Sequence, residues 1–177
     1  MALQSVLITG GTGFVGSAIA RALDEKHPTC KIIVLDTKPP GAIHVLPPNV
    51  SFVQADITSF DDVRTAIGFV RPQVVIHAAG MVGSLSERYR RKEESLIRTI
   101  NVTGTKNVID AAKETGVEAL VYTSSCTSVI DDLSKSFPNM DERWPTCHSS
   151  LVYGESKVLL WRMPKLGRFG GTDKLNC

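Results

Sequence analysis

Residues 5–16, Ser-Val-Leu-Ile-Thr-Gly-Gly-Thr-Gly-Phe-Val-Gly, run from a short apolar, β-branched stretch straight into a cluster of glycines. The first half predicts a buried strand, Ser5–Thr9, and Phe14 opens a helical pattern that continues to Glu25. Between them the glycines satisfy two spacings, through Gly11, Gly13 and Gly16 or through Gly10, Gly13 and Gly16. Without a Cβ the backbone can turn tightly and come close to a phosphate. The N–H groups at the start of the following helix, with its dipole, then favour an anion. On its own such a turn also serves as a plain strand-to-helix connection, so its neighbourhood decides its meaning.

Downstream the same alternation repeats. Lys31–Asp36, Val50–Gln54, Gln73–His77 and Ala119–Thr123 are brief and rich in Val, Ile or Leu, as strands covered on both faces are. Helical patterns lie at Ser59–Phe69 and Ile97–Thr115. Ser59 with Asp61 and Asp62 marks a helix start, because acidic side chains favour the positive end of the dipole. A β-α-β alternation of this kind predicts an α/β fold, a Rossmann-type doubly wound parallel sheet. Thr37–Asn49, with its four prolines, reads as a loop, and Cys126–Ser150 as a long connection of the kind that borders active sites. The charge-rich run Arg88–Arg98 reads as a solvated helix face.

Composition narrows the function. The 177 residues are 42% hydrophobic and 21% charged, enough for one domain with a core. A net charge of +2 and 6% aromatic residues supply neither a basic patch nor a stacking platform for nucleic acid. No stretch reaches the ~20 apolar residues of a membrane span, and the N-terminus lacks a signal-peptide pattern. Cys30, Cys126, Cys147 and Cys177 are scattered with no paired spacing, which argues for reduced thiols, against a metal site, and for a cytoplasmic location.

Two further features give the glycine turn its chemistry. Asp36 ends the second predicted strand at the distance where a carboxylate takes the adenosine ribose hydroxyls of a dinucleotide. That carboxylate repels the extra phosphate of NADP and points to NAD, while nearby Lys38 keeps NADP in play. Tyr153 and Lys157 stand four apart, on one face if the segment is helical. A tyrosine base needs its phenolate stabilised, which an ammonium one turn away would do by lowering the phenol pKa. Thr123-Ser124-Ser125 at the end of the last strand offers a hydroxyl for the substrate oxygen.

These motifs, together with Ala55-Asp56-Ile57, His77-Ala78-Ala79-Gly80 and Asn101-Val102-Thr103-Gly104-Thr105, make the chain resemble the extended short-chain dehydrogenases/reductases of the NAD-dependent epimerase/dehydratase superfamily. It is most similar to their 3β-hydroxysteroid dehydrogenase and sterol-4α-carboxylate 3-dehydrogenase branch. The resemblance implies that Gly10, Gly13 and Gly16 line the pyrophosphate, with N–H groups from Phe14 and Val15. It gives Asp36 the adenine ribose, Asp56 and Ile57 the adenine edge, and Ala78, Ala79 and Gly80 a place beneath the cofactor. Asn101 matches an asparagine that stabilises the central helix near the active site. Ser125 matches the catalytic serine, with Ser124 as the alternative, Tyr153 the general base and Lys157 its partner. His77 is expected to be structural.

The resemblance runs from about Val6 to Leu159. It implies a dinucleotide-binding domain over residues 1–160 and an atypical, irregular tail over 161–177, where Pro164 should stop the helix. The family's C-terminal substrate region is missing, so the expectation is a truncated chain with apolar surface less covered along Phe52, Val53, Val75 and Val121, open to homo-oligomer formation. Family members of this branch often sit at the endoplasmic reticulum. Three functions fit: an NAD-dependent oxidation of a sterol or steroid 3β-hydroxyl, an epimerisation or small-ketone reduction by the same side chains, and a catalytically incomplete NAD-binding module.

Overall fold

The computed structural model describes residues 3–83, 91–130, 134–141, 144, 149 and 151–161. Five parallel strands form one sheet: β1 Ser5–Thr9, β2 Lys31–Asp36, β3 Ser51–Gln54, β4 Val74–His77 and β5 Ala119–Tyr122. Their spatial order is β3-β2-β1-β4-β5, so the chain steps outward from β1 and then returns to its other side. Register is continuous across the centre, where Ile8 pairs with Val34 on one side and with Ile76 on the other.

The connections explain the layering. Helix α1, Phe14–Lys26, links β1 to β2, and α2, Phe60–Val70, links β3 to β4 in the opposite direction along the sheet. With right-handed crossovers, those opposite directions place α1 on one face and α2 on the other. Helix α4, Thr105–Glu114, follows β4 in the same direction as α2 and packs against it. Val6, Leu7, Ile8, Val34 and Leu35 are fully buried, as apolar runs covered on both faces must be. One face holds Val6, Ile8, Ile32 and Val34 against Ala20 and Ile19 of α1. Val75, expected to be poorly covered, is 0% exposed because β4 lies inside the sheet; Val121 on the edge strand β5 is 45% exposed.

Element starts follow local chemistry. The Ser59 side chain accepts the Asp62 N–H and caps α2, with Asp61 and Asp62 in the first turn. The helix expected over Ile97–Thr115 is instead three consecutive pieces: α3 Glu94–Arg98, a wider π-helical turn Thr99–Gly104, and α4. Thr99, Ile100, Val102 and Thr103 are β-branched and hold the tight α geometry weakly. The π turn carries Asn101, whose amide is committed to protein groups. Helix α5 covers Val152–Trp161, and a short 3₁₀ turn, Cys126–Val129, follows β5.

The described residues fall into two compact units, 3–79 with 104–123 and 80–103 with 124–161. The first holds the sheet with α1, α2 and α4; the second holds α3, the 3₁₀ turn and α5. The tail expected to be irregular falls on residues outside the described set, Trp161 excepted.

Candidate active site

In the sheet unit the strand order reverses between β1 and β4, and ligands of open α/β sheets bind outside the carboxyl ends of strands at such a point. The glycine turn stands there. Gly10 has φ +68°, and a Cβ on it would lie 2.6 Å from the Ala79 Cα. At Gly16 a Cβ would come within 2.2 Å of the Gly10 carbonyl oxygen, so the turn and the helix can meet only if this residue has no side chain. Gly13 is the N-cap of α1, with no side chain capping the helix and no acidic residue in its first turn. Phe14 and Val15 at that helix start are 75% and 49% exposed. The result is an uncapped, accessible helix N-terminus behind a close-approach loop, which suits a pyrophosphate.

Asp36 lies at the carboxyl end of β2, with Oδ2 accepting the Thr12 N–H at 3.2 Å and Oδ1 the Thr37 N–H at 2.8 Å. These bonds aim the carboxylate beside the turn. No sequence pattern singles out Thr12, since only the fold reveals that its N–H faces Asp36. Asp56 caps its own turn, Oδ1 accepting from Thr58 N at 2.8 Å and Thr58 Oγ1 at 2.9 Å. Ile57 is buried against Gly104, and its carbonyl accepts from Asn107. Ala78 and Ala79 run beside the turn, their N–H groups bonded to the Thr9 carbonyl and hydroxyl respectively.

His77 is structural, as expected. Its ring is 0% exposed, hydrogen-bonds Thr9 Oγ1 at 2.5 Å and Thr105 Oγ1 at 2.7 Å, and stacks on Tyr122. It ties β1, just before the glycine turn, to β4 and α4.

The second unit brings Ser125, Tyr153 and Lys157 together. Ser125 caps the 3₁₀ turn, and its hydroxyl lies beside Tyr153, with which it lines one cavity. Ser125, rather than the alternative Ser124, is the one that lines the same cavity as Tyr153. Thr127 donates to Ser125 Oγ at 2.9 Å, a partner that no sequence pattern distinguishes from other threonines. Lys157 follows one turn along α5, with Nζ 5.5 Å from the Tyr153 ring centroid. Gly80 belongs to this unit, and a Cβ on it would sit 3.4 Å from both Lys157 Nζ and Asn101 Oδ1. Asn101 accepts the Met81 N–H at 2.7 Å and donates to the Met81 carbonyl and to Ser156 Oγ, each at 2.9 Å.

The electrostatics differ from expectation. Burial raises the Tyr153 phenol above its usual value, and the neighbouring Ser125 hydroxyl offsets only part of this. Lys157, 2% exposed, is itself pushed down to about 8 by burial. The Lys157 Nζ lies over the Tyr153 ring, and desolvation is the largest influence on the phenol. A cavity of about 230 Å³ opens beside Ser125 and Tyr153, walled by Val82, Ile97, Leu151 and Val152, with Arg91 and Glu94 also lining it. The run expected to be a solvated face thus contributes to the wall. Among the described residues no cluster of His, Cys, Asp or Glu could hold a metal ion, and no helix is long and apolar enough to cross a membrane.

Residues 6–165 match the NAD dependent epimerase/dehydratase family. The chain belongs to that family. It is 34% identical over 148 residues to the decarboxylating sterol-4-alpha-carboxylate 3-dehydrogenase of Candida albicans, covering 81% of this chain and 40% of that protein. It is 36% identical over 161 residues to 3 beta-hydroxysteroid dehydrogenase type 7 of Mus musculus, covering 86% and 42%. The UDP-glucose 4-epimerase of Thermus thermophilus, crystallised with NAD, has a similar structure, with a TM-score of 0.75 and 27% identity over 89% of this chain and 49% of that one. The chain spans less than half the length of these three relatives.

Proposed function

We propose that this member of the epimerase/dehydratase family binds NAD and oxidises the 3β-hydroxyl of a sterol or steroid. The observation that carries the reading is that Ser125 and Tyr153 line one cavity together with Val82, Ile97, Leu151 and Val152, which suits a secondary alcohol on an apolar frame. The glycine turn, the uncapped start of α1 and Asp36 fit NAD, and the sterol and steroid dehydrogenases similar to this chain support the substrate class. When bound, NAD supplies the hydride acceptor.

The chain's own residues handle the proton. Ser125, oriented by the Thr127 hydroxyl, hydrogen-bonds the substrate oxygen. Tyr153, once deprotonated, accepts the hydroxyl proton, and Lys157, charged only below about pH 8, stands one turn away. Because burial raises the phenol, the tyrosinate fraction grows across the alkaline range and oxidation is expected to speed up with pH.

The likeness to UDP-glucose 4-epimerase favours a second reading, epimerisation or ketone reduction with the same side chains. NADH formation from a 3β-hydroxysteroid, with none from UDP-glucose, supports the first reading; the reverse result supports the second. Tyr153→Phe is expected to abolish turnover while leaving NAD affinity within about twofold by calorimetric titration. Unchanged turnover in that variant would remove Tyr153 from the mechanism. NAD binding with no turnover on either substrate identifies the chain as a catalytically incomplete cofactor module.

A further inference from the structure

The charged run that ends in α3 has a partner outside itself. Glu155 stands between Tyr153 and Lys157 on α5. Its Oε2 accepts from Arg91 Nη2 at 2.8 Å and Arg98 Nη2 at 2.7 Å, and its Oε1 from Arg91 Nη1 at 3.1 Å. Glu94 completes the ring, Oε2 accepting from Arg91 Nε at 2.8 Å, and Oε1 from Arg98 Nε at 2.8 Å and Arg91 Nη2 at 3.0 Å. Arg91 therefore engages both carboxylates in two-point contacts, the geometry in which guanidinium pairing fixes direction as well as proximity. The four side chains are 23–43% exposed, so the two-point geometry and the extent of the network, rather than burial, set this group apart from an isolated surface pair.

Two more observations bear on what the network does. Arg91 has φ +56°, a left-handed conformation disfavoured for a residue with a side chain, which persists where the surroundings over-determine it. Arg91 and Glu94 also line the cavity that holds Ser125 and Tyr153. A second tie reaches the adjacent residue of α5, where Asn101 donates to Ser156 Oγ, whose hydroxyl in turn donates to the Tyr153 carbonyl. The turn that carries Tyr153 is thus gripped at 155 by charge and at 156 by a buried amide.

We infer that Glu155, clasped by Arg91 and Arg98, is a positioning residue that fixes the Tyr153–Lys157 turn of α5 at the cavity. This rests on the assignment of Tyr153 and Lys157 as the proton-transfer pair. The network acts through those two side chains and touches no reacting atom.

The test reads Tyr153 directly. The chain has three tyrosines, so labelling with tyrosine carrying ¹³C at Cζ and comparison with Tyr153→Phe identifies its resonance. In Glu155→Gln the loosened turn admits water, and the Tyr153 titration midpoint is expected to move down by half a pH unit or more, with the Tyr122 resonance unchanged as internal reference. Arg98→Lys, which keeps the charge but loses the guanidinium bridge between Glu94 and Glu155, is expected to give a smaller shift in the same direction, and it carries the test if Glu155→Gln does not fold. A Tyr153 midpoint unchanged in the folded variants, even with lowered thermal stability, overturns the inference and leaves the network a stabilising one. Where the unaltered chain turns over a 3β-hydroxysteroid, Glu155→Gln is expected to lower kcat at least tenfold with KM for NAD unchanged. Where it does not, the proposed function fails, and the titration still decides the clamp.

Discussion

Lys157 shows most clearly how burial of a single charged residue bears on stability. It is 2% exposed, and its pKa is pushed from the ordinary 10.5 to about 8 by burial. Between those values the unfolded chain holds the proton that the folded chain has released, so this group's contribution to stability rises with pH from about 8 to 10.5 and is lost as pH falls. Lys157→Met, similar in volume and uncharged, is expected to stabilise the fold at pH 7 by up to about 3 kcal/mol. Denaturant unfolding should show the gain vanishing above pH 10, and a pH-independent difference would contradict it. Gly10 is the opposite case, where the constraint is backbone. With φ +68° and Ala79 against it, Gly10→Ala is expected to cost roughly 1–3 kcal/mol and to weaken NAD binding at least tenfold, measured by denaturation and calorimetry.

At the scale of elements, the sequence patterns located the strands and helix starts because each has a local cause. Ser59 is one: Ser59→Ala removes the hydroxyl that accepts the Asp62 N–H and is expected to destabilise the fold by about 1 kcal/mol, read from the denaturation midpoint at unchanged m-value. The stretch from Ile97 to Thr115 was harder to read. Its apolar spacing is compatible with a plain α-helix, but the π turn is stabilised by Asn101 bonds to Met81 and Ser156, partners 20 and 55 residues away. Periodicity does not encode such contacts. The same limit hid the role of Arg91 and Arg98, whose run looks like any solvated helix face until Glu155 is brought beside it.

At the scale of the whole molecule, cofactor binding and folding are linked by mass action. NAD at a hundred times its Kd is expected to stabilise the folded chain by about 2.7 kcal/mol. For a chain of this size that corresponds to a rise in Tm of roughly 5–10 °C, with little shift from NADP, in a thermal unfolding scan. Equal shifts from both would show that Asp36 does not select the cofactor. The edge of the sheet belongs to the same scale: among the described residues β5 has a strand on one side only, and Val121 is 45% exposed there. Unpaired edges of this kind favour association between chains.

By itself the sequence determined the alternation of strands and helices, the family, and the residue types at the glycine turn, Asp36, Ser125, Tyr153 and Lys157, because these depend on local backbone geometry and on spacing along the chain. Tertiary structure alone decided the environment of each. It buried Lys157 and Tyr153 so that desolvation governs their protons, set Gly80 beside Lys157 and Ala79 against Gly10, and closed the ring of Arg91, Glu94, Arg98 and Glu155. Charge and burial act through space between residues far apart in the chain, so no local pattern carries them.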